Sequence, residues 1–141
     1  MKHILYILLV IIAFGLKAQE KIEIINADTT FGDTKNHPDY WRLIGNVEFK
    51  HHNTIMNCDS AYHYINKNQI KAFGSIKINQ LDSIIITGNQ LTYFGKKNKA
   101  EIKENVLLED KYMTLKTNKI IYNLEYNTAF FPYEAEIIDN E

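Results

Sequence analysis

Residues 74–93 read GSIKINQLDSIIITGNQLTY, and three features of that stretch recur along the chain at spacings of 29 to 31 residues. The first is the series Ile86-Thr87-Gly88-Asn89, repeated as Ile25-Asn26-Ala27-Asp28, Met56-Asn57-Cys58-Asp59 and Leu115-Lys116-Thr117-Asn118. Each copy reads apolar, polar, small, then Asp or Asn. The second is Gly74-Ser75-Ile76-Lys77-Ile78, with Gly45-Asn46-Val47-Glu48-Phe49 before it and Glu104-Asn105-Val106-Leu107-Leu108 after it. The third is a tyrosine column, Tyr64, Tyr93 and Tyr122. Agreement of three registers marks a repeat architecture, which outranks local propensity as evidence about a fold.

Inside each copy the apolar period is close to two, the signature of half-buried strands. Val47 and Phe49 flank Glu48, Ile76 and Ile78 flank Lys77, and Leu91 and Tyr93 flank Thr92; Tyr62 and Tyr64 flank His63 in the same way. Ile70 with Ala72, Ala100 with Ile102, and Ala129 with Phe131 continue the pattern. Polar turns lie between, at Lys50–Asn53, Asn66–Asn68, Gly95–Asn98 and Glu109–Lys111. Short strands with frequent turns, and no sustained helical period beyond the first residues, predict an all-β chain built from strands of about five or six residues. Asp28, Asp59, Asn89 and Asn118 are expected where one strand gives way to the next, because Asp and Asn bond their own backbone and tolerate left-handed conformations. Gly45 and Gly74 read as bends; Glu104, at the third such position, lacks the glycine.

These phrases resemble those of the OstA-like family, the periplasmic lipopolysaccharide-transport proteins that include LptA and the N-terminal domain of LptD. The resemblance rests on Ile25–Asp28, on Gly45-Asn46-Val47 with Met56–Tyr64, and on Gly74-Ser75-Ile76 with Ile86–Tyr93; it extends from about Lys21 to Phe131. It implies an antiparallel β-jellyroll folded like a taco, with an apolar interior that shields lipid A acyl chains while lipopolysaccharide crosses the periplasm. It also implies head-to-tail strand pairing with other β-jellyroll proteins of the transport system, or self-association. Candidate groove residues are Val47, Phe49, Ile55, Ile76, Ile78, Ile84, Ile86, Val106, Leu108 and Leu115. Alternation by itself does not separate a lipid trough from a closed core. Two other readings stand beside the carrier: a β-repeat scaffold without lipid cargo, and an inner-membrane-anchored subunit resembling LptC.

The start of the chain reads as an export signal. Lys2 and His3 precede the apolar run Ile4–Leu16, and Leu16-Lys17-Ala18 resembles a cleavage site. The run is shorter than the about 20 residues of a spanning helix. No cysteine stands at the cut, which excludes a lipoprotein anchor. The expected division is a signal peptide at 1–18 and one β-domain at 19–141. Lys2 and Lys17 leave with the signal, so 16 basic residues become 14 against 17 acidic ones, and the formal charge moves from −1 to −3. Nucleic-acid binding selects a basic chain, so that class is set aside.

Little points to catalysis. A metal site needs three or four convergent ligands, and adjacent strand residues such as His51 and His52 point to opposite faces. Cys58, the single cysteine, occupies the small-residue column and reads as a buried packing residue. A hydrolase using Cys58 and His63 lacks an orienting third group and an oxyanion site. No phosphate loop or nucleophile elbow is present. The expectation is a non-enzyme with no cofactor and no metal. Lys96, Lys97 and Lys99 read as a solvated hairpin tip, Trp41 as a core anchor or a rim aromatic, and Pro132–Glu141 as an edge strand or fraying tail.

Overall fold

The computed structural model describes residues 19–140, so the expected signal peptide lies outside it. Ten strands form one antiparallel sheet: β1 (Glu23–Asn26), β2 (Thr29–Asp33), β3 (His37–His51), β4 (Thr54–Tyr64), β5 (Gln69–Gln80), β6 (Ile84–Phe94), β7 (Lys99–Glu109), β8 (Met113–Asn123), β9 (Thr128–Phe130) and β10 (Ala135–Asp139). Neighbours follow the order β1-β3-β4-β5-β6-β7-β8-β10, with β2 also on β3 and β9 also on β8. The sheet does not close, which leaves β1/β2 at one edge and β9/β10 at the other. A 3-10 turn, Gly95–Lys97, is the sole helical element among the described residues.

Short strands were expected; β3 to β8 are instead 11 to 15 residues long. Each one is two of the expected strands joined through a corner. At that corner β3, β5 and β7 carry two consecutive left-handed residues: Gly45-Asn46, Gly74-Ser75 and Glu104-Asn105. The pairing register shifts there, so that two residues of the odd strand oppose one of the even strand. The opposing residues are Asp59, Asn89 and Asn118, while the Asp28 amide donates to the Gly45 carbonyl at 2.9 Å. Asp59, Asn89 and Asn118 therefore sit in mid-strand, not at strand ends; Asp28 does separate β1 from β2. The glycine series and the Asp/Asn series are the two sides of a single corner line. A Cβ on Gly74 would press on the Asp59 side chain, and φ there is +80°, so only glycine is unstrained.

The corner folds the sheet onto itself. Phe49 pairs with Met56, and His63 pairs with Trp41. In a flat sheet the residues from Trp41 to Phe49 would hold these groups about 26 Å apart. The Phe49 and His63 rings lie 5.8 Å apart, centroid to centroid. Burial follows the same line. In β4 the inward residues are Met56 and Cys58, then Ala61 and His63, a step of three across Asp59. In β6 they are Ile86 and Gly88, then Leu91 and Tyr93. The opposite pleat face is thus inside beyond the corner, and each strand supplies a residue run to both walls of the core.

Candidate functional site

The interior between the two walls is the candidate site. Val47, Phe49, Ile76, Ile78, Ile86, Val106, Leu108 and Leu115 all point into it and are buried, none more than 5% exposed. Ile84 lies at the hairpin end of β6, partly buried against the same core. Ile55, expected in the groove, faces the other way. It pairs with Lys50 and Asn79 on the outer face, because Met56 takes the inward position next to it. These candidates make up a single wall. The facing wall consists of Leu43, Ala61, Ile70, Ala72, Leu91, Ala100, Ile102 and Ile120, all buried, together with a polar column that the tyrosine spacing nearly captured. Tyr93 and Tyr122 are buried in that column, but its third member is His63; Tyr64 lies on the outer face. The three-residue step at each corner moves the inward set by one residue, which a strict count of two along β4 does not follow. Ala129 and Phe131 likewise turn out exposed, at the short edge strand β9.

Where the walls meet, strands that are not neighbours in the sheet touch through polar groups. The Tyr93 hydroxyl lies 2.6 Å from His51 Nδ1, and His51 Nε2 lies 3.0 Å from the Glu20 carbonyl. A carbonyl only accepts, so Nε2 carries the proton and Nδ1 accepts from tyrosine: a neutral imidazole. Burial lowers the His51 pKa, in keeping with that tautomer. It also raises the pKa values of Tyr93 and Tyr122, which keeps both hydroxyls protonated as donors. Farther along, Gln80 Nε2 donates to the Leu124 carbonyl at 2.9 Å and Gln80 Oε1 accepts from Tyr122 at 3.0 Å. The segment Glu20–Ile22 straps the opening. Ile22 N donates to Asn68 Oδ1, Asn68 Nδ2 donates to the Glu20 carbonyl, and the Glu20 carboxylate pairs with His52. A cavity of about 280 Å³ opens beside this seam, lined by His51, Thr54, Gln80, Tyr93, Asn98 and Leu124 among others.

Cys58 is buried, and burial pushes its thiol up to about 12, so it stays protonated and non-nucleophilic at neutral pH. His63 is buried with Nδ1 unpartnered, and burial lowers its pKa. Among the described residues no group of three or more His, Cys, Asp or Glu converges as metal ligands. Trp41 lies against Gly32 at the rim of the fold, 37% exposed.

A family model described as OstA-like protein matches residues 19–141. The chain belongs to the OstA-like family. No curated protein matches this OstA-like chain in sequence. Among solved structures it is similar to LptH of Pseudomonas aeruginosa, described as the LptA-homologous periplasmic component of the lipopolysaccharide transport device. That match has a TM-score of 0.73 at 15% identity and covers 86% of this chain and 96% of the other. At that identity the likeness speaks for the fold: an all-β, open antiparallel jellyroll.

Proposed function

We propose that this OstA-like chain is a periplasmic lipopolysaccharide-binding transport protein, not an enzyme, and that it shields lipid A acyl chains between its two apolar walls. The observation that carries the reading is the pairing of two such walls along a seam closed by a few hydrogen bonds. Exposing an acyl chain to water costs about 0.8 kcal/mol per methylene, hence on the order of 10 kcal/mol for a chain of about a dozen carbons. Each seam hydrogen bond contributes only about 0.5–1.5 kcal/mol net, because water replaces the partner when it breaks. Parting the seam and sliding acyl chains between the walls exchanges apolar contacts for apolar contacts, so several chains outweigh the polar latch. The likeness to LptH, a periplasmic component of a lipopolysaccharide transport device, and the family support the periplasmic setting and the cargo class. Other β-jellyroll subunits of the transport system would add to the open edges, continuing the walls from one protein to the next.

The filled interior favours a second reading, a β-scaffold with no cargo. Incubation with lipopolysaccharide followed by gel filtration separates the two. A carrier co-elutes with lipid, and its melting temperature rises with lipid concentration. A scaffold elutes lipid-free at an unchanged melting temperature.

A further inference from the structure

We propose that the outer face of the second wall, comprising the β3 half before the corner, the β4 half after it and their counterparts through β8, is a docking surface for an anionic lipid bilayer. The strand pairing aligns outward side chains in transverse rows. One row reads Arg42, Tyr62, Lys71, Thr92, Glu101 and Ile121, and the row beside it ends in Phe73, Gln90, Lys103 and Lys119. Over β3 to β8 this face carries five cations, Arg42, Lys71, Lys99, Lys103 and Lys119, against two carboxylates: Glu101, which lies 3.4 Å from Lys99, and Glu104, which accepts from Gln90 Nε2 at 3.0 Å. The flanking hairpins add Lys35, Lys67, Lys96 and Lys97 against Asp33 and Glu125. The outer face of the first wall differs: over the same strands it carries three cations, Lys50, Lys77 and Lys116, against Glu48 and Glu109, and its edge strands add Glu23 and Glu136. Positive charge is therefore concentrated on one face of a chain whose formal net charge is −1.

Aromatic rings hold these cations at a common level. The Arg42 guanidinium sits 4.5 Å above Tyr62, Lys67 and Lys71 lie 5.7 and 5.8 Å from Tyr64, and Lys97 and Lys99 lie 5.9 and 5.8 Å from Phe94. Phe73 is 40% exposed between them, and Phe31 and Phe130 extend the rows at either sheet edge, 55% and 62% exposed. Tyrosine, phenylalanine and lysine side by side suit the headgroup layer, where rings rest at the acyl boundary and ammonium groups meet phosphates. The recess beside Lys71, Phe73 and Lys103 holds about 170 Å³, below the about 300 Å³ at which ligand pockets begin, so the face fits a surface and not an engulfed molecule. This face lies outside the interior, so the inference is independent of the cargo.

The test is flotation of the full chain with vesicles of phosphatidylethanolamine containing a quarter phosphatidylglycerol, compared with phosphatidylcholine vesicles. The zwitterionic vesicles report whatever the apolar N-terminal run contributes. Binding to the anionic vesicles should be tighter and should fade in high salt. The combined variant Lys71→Gln, Lys103→Gln, Lys119→Gln should lose about a hundredfold of the anionic preference, given the usual worth of a lysine near such a surface. The matched first-wall variant Lys50→Gln, Lys77→Gln, Lys116→Gln should keep it, with circular dichroism showing both folded. Equal loss in the two variants, or no loss in the first, overturns the proposal and leaves a protein partner as the occupant. Displacement by millimolar glycerol phosphate overturns it in favour of a phosphate site.

Discussion

Glycine fills the first left-handed position of the corner in β3 and β5, with φ of +80° in both, and Glu104 fills it in β7 at +67°. A side chain in that region costs roughly 1–2 kcal/mol. Its hydrogen bond from Gln90 Nε2 at 3.0 Å is solvent-exposed and returns little. Glu104→Gly should therefore raise stability by about 0.5–1 kcal/mol in urea unfolding, after the added freedom of the unfolded glycine is deducted. Gly74→Ala should lower it by about 2 kcal/mol or more, since strain and the Asp59 contact add. Buried histidines give a pH dependence of definite sign. His51 and His63 have lowered pKa values in the fold, mainly through burial, against about 6.5 when unfolded. Above about pH 6.5 both states hold them neutral and nothing is lost; as pH falls below that, the unfolded chain takes up protons the fold refuses, and stability drops. Urea midpoints at about pH 7.5 and about pH 5 should show that drop. His63→Leu, which also removes the orphaned Nδ1, should make it shallower.

The strands were legible in their halves and illegible in their lengths. Alternation identified Val47 with Phe49 and Ile76 with Ile78, and turn chemistry located the hairpins: Asn68 and Asn98 adopt left-handed φ, and the Asp110 carboxylate accepts from the Tyr112 and Met113 amides. The corner looks like a strand end in the sequence because Asp59, Asn89 and Asn118 carry turn chemistry wherever they stand. Periodicity counted in steps of two from Met56 slips at such a corner, reaching Tyr64 and passing over His63, while Ile55 faces out because its neighbour Met56 takes the inward position. The second wall and the seam depend on contacts between residues about 42 apart, such as His51 with Tyr93, and no local pattern encodes those. At this scale the seam is itself testable. Tyr93→Phe leaves His51 Nδ1 buried without a donor and should cost about 1–3 kcal/mol. Hydrogen exchange should quicken first at the hairpin ends of β3 and β6, with the corner still protected. Uniform quickening across the sheet would mean that the seam does not open separately from global unfolding.

The whole molecule presents two unlike edges, β1/β2 and β9/β10, each broken at the corner line as the long strands are. Exposed apolar residues mark both, Phe31 on one and Ile137 on the other. Head-to-tail pairing is heterologous and grows without closing. Phe31→Lys or Ile137→Lys should each abolish self-association in sedimentation velocity, and a mixture of the two should form dimers and nothing larger, because one intact edge of each kind survives. Dimers in either variant alone would indicate a symmetric contact instead. The central claim concerns the space between the walls, and photocrosslinking addresses it most directly. A diazirine-bearing aliphatic residue placed at Ile78 or Ile86 should crosslink to lipopolysaccharide in the loaded protein, while the same residue at Ile55, on the outer face of that wall, should not. Absence of a crosslink from both inward positions, or an equal yield from Ile55, would contradict the account.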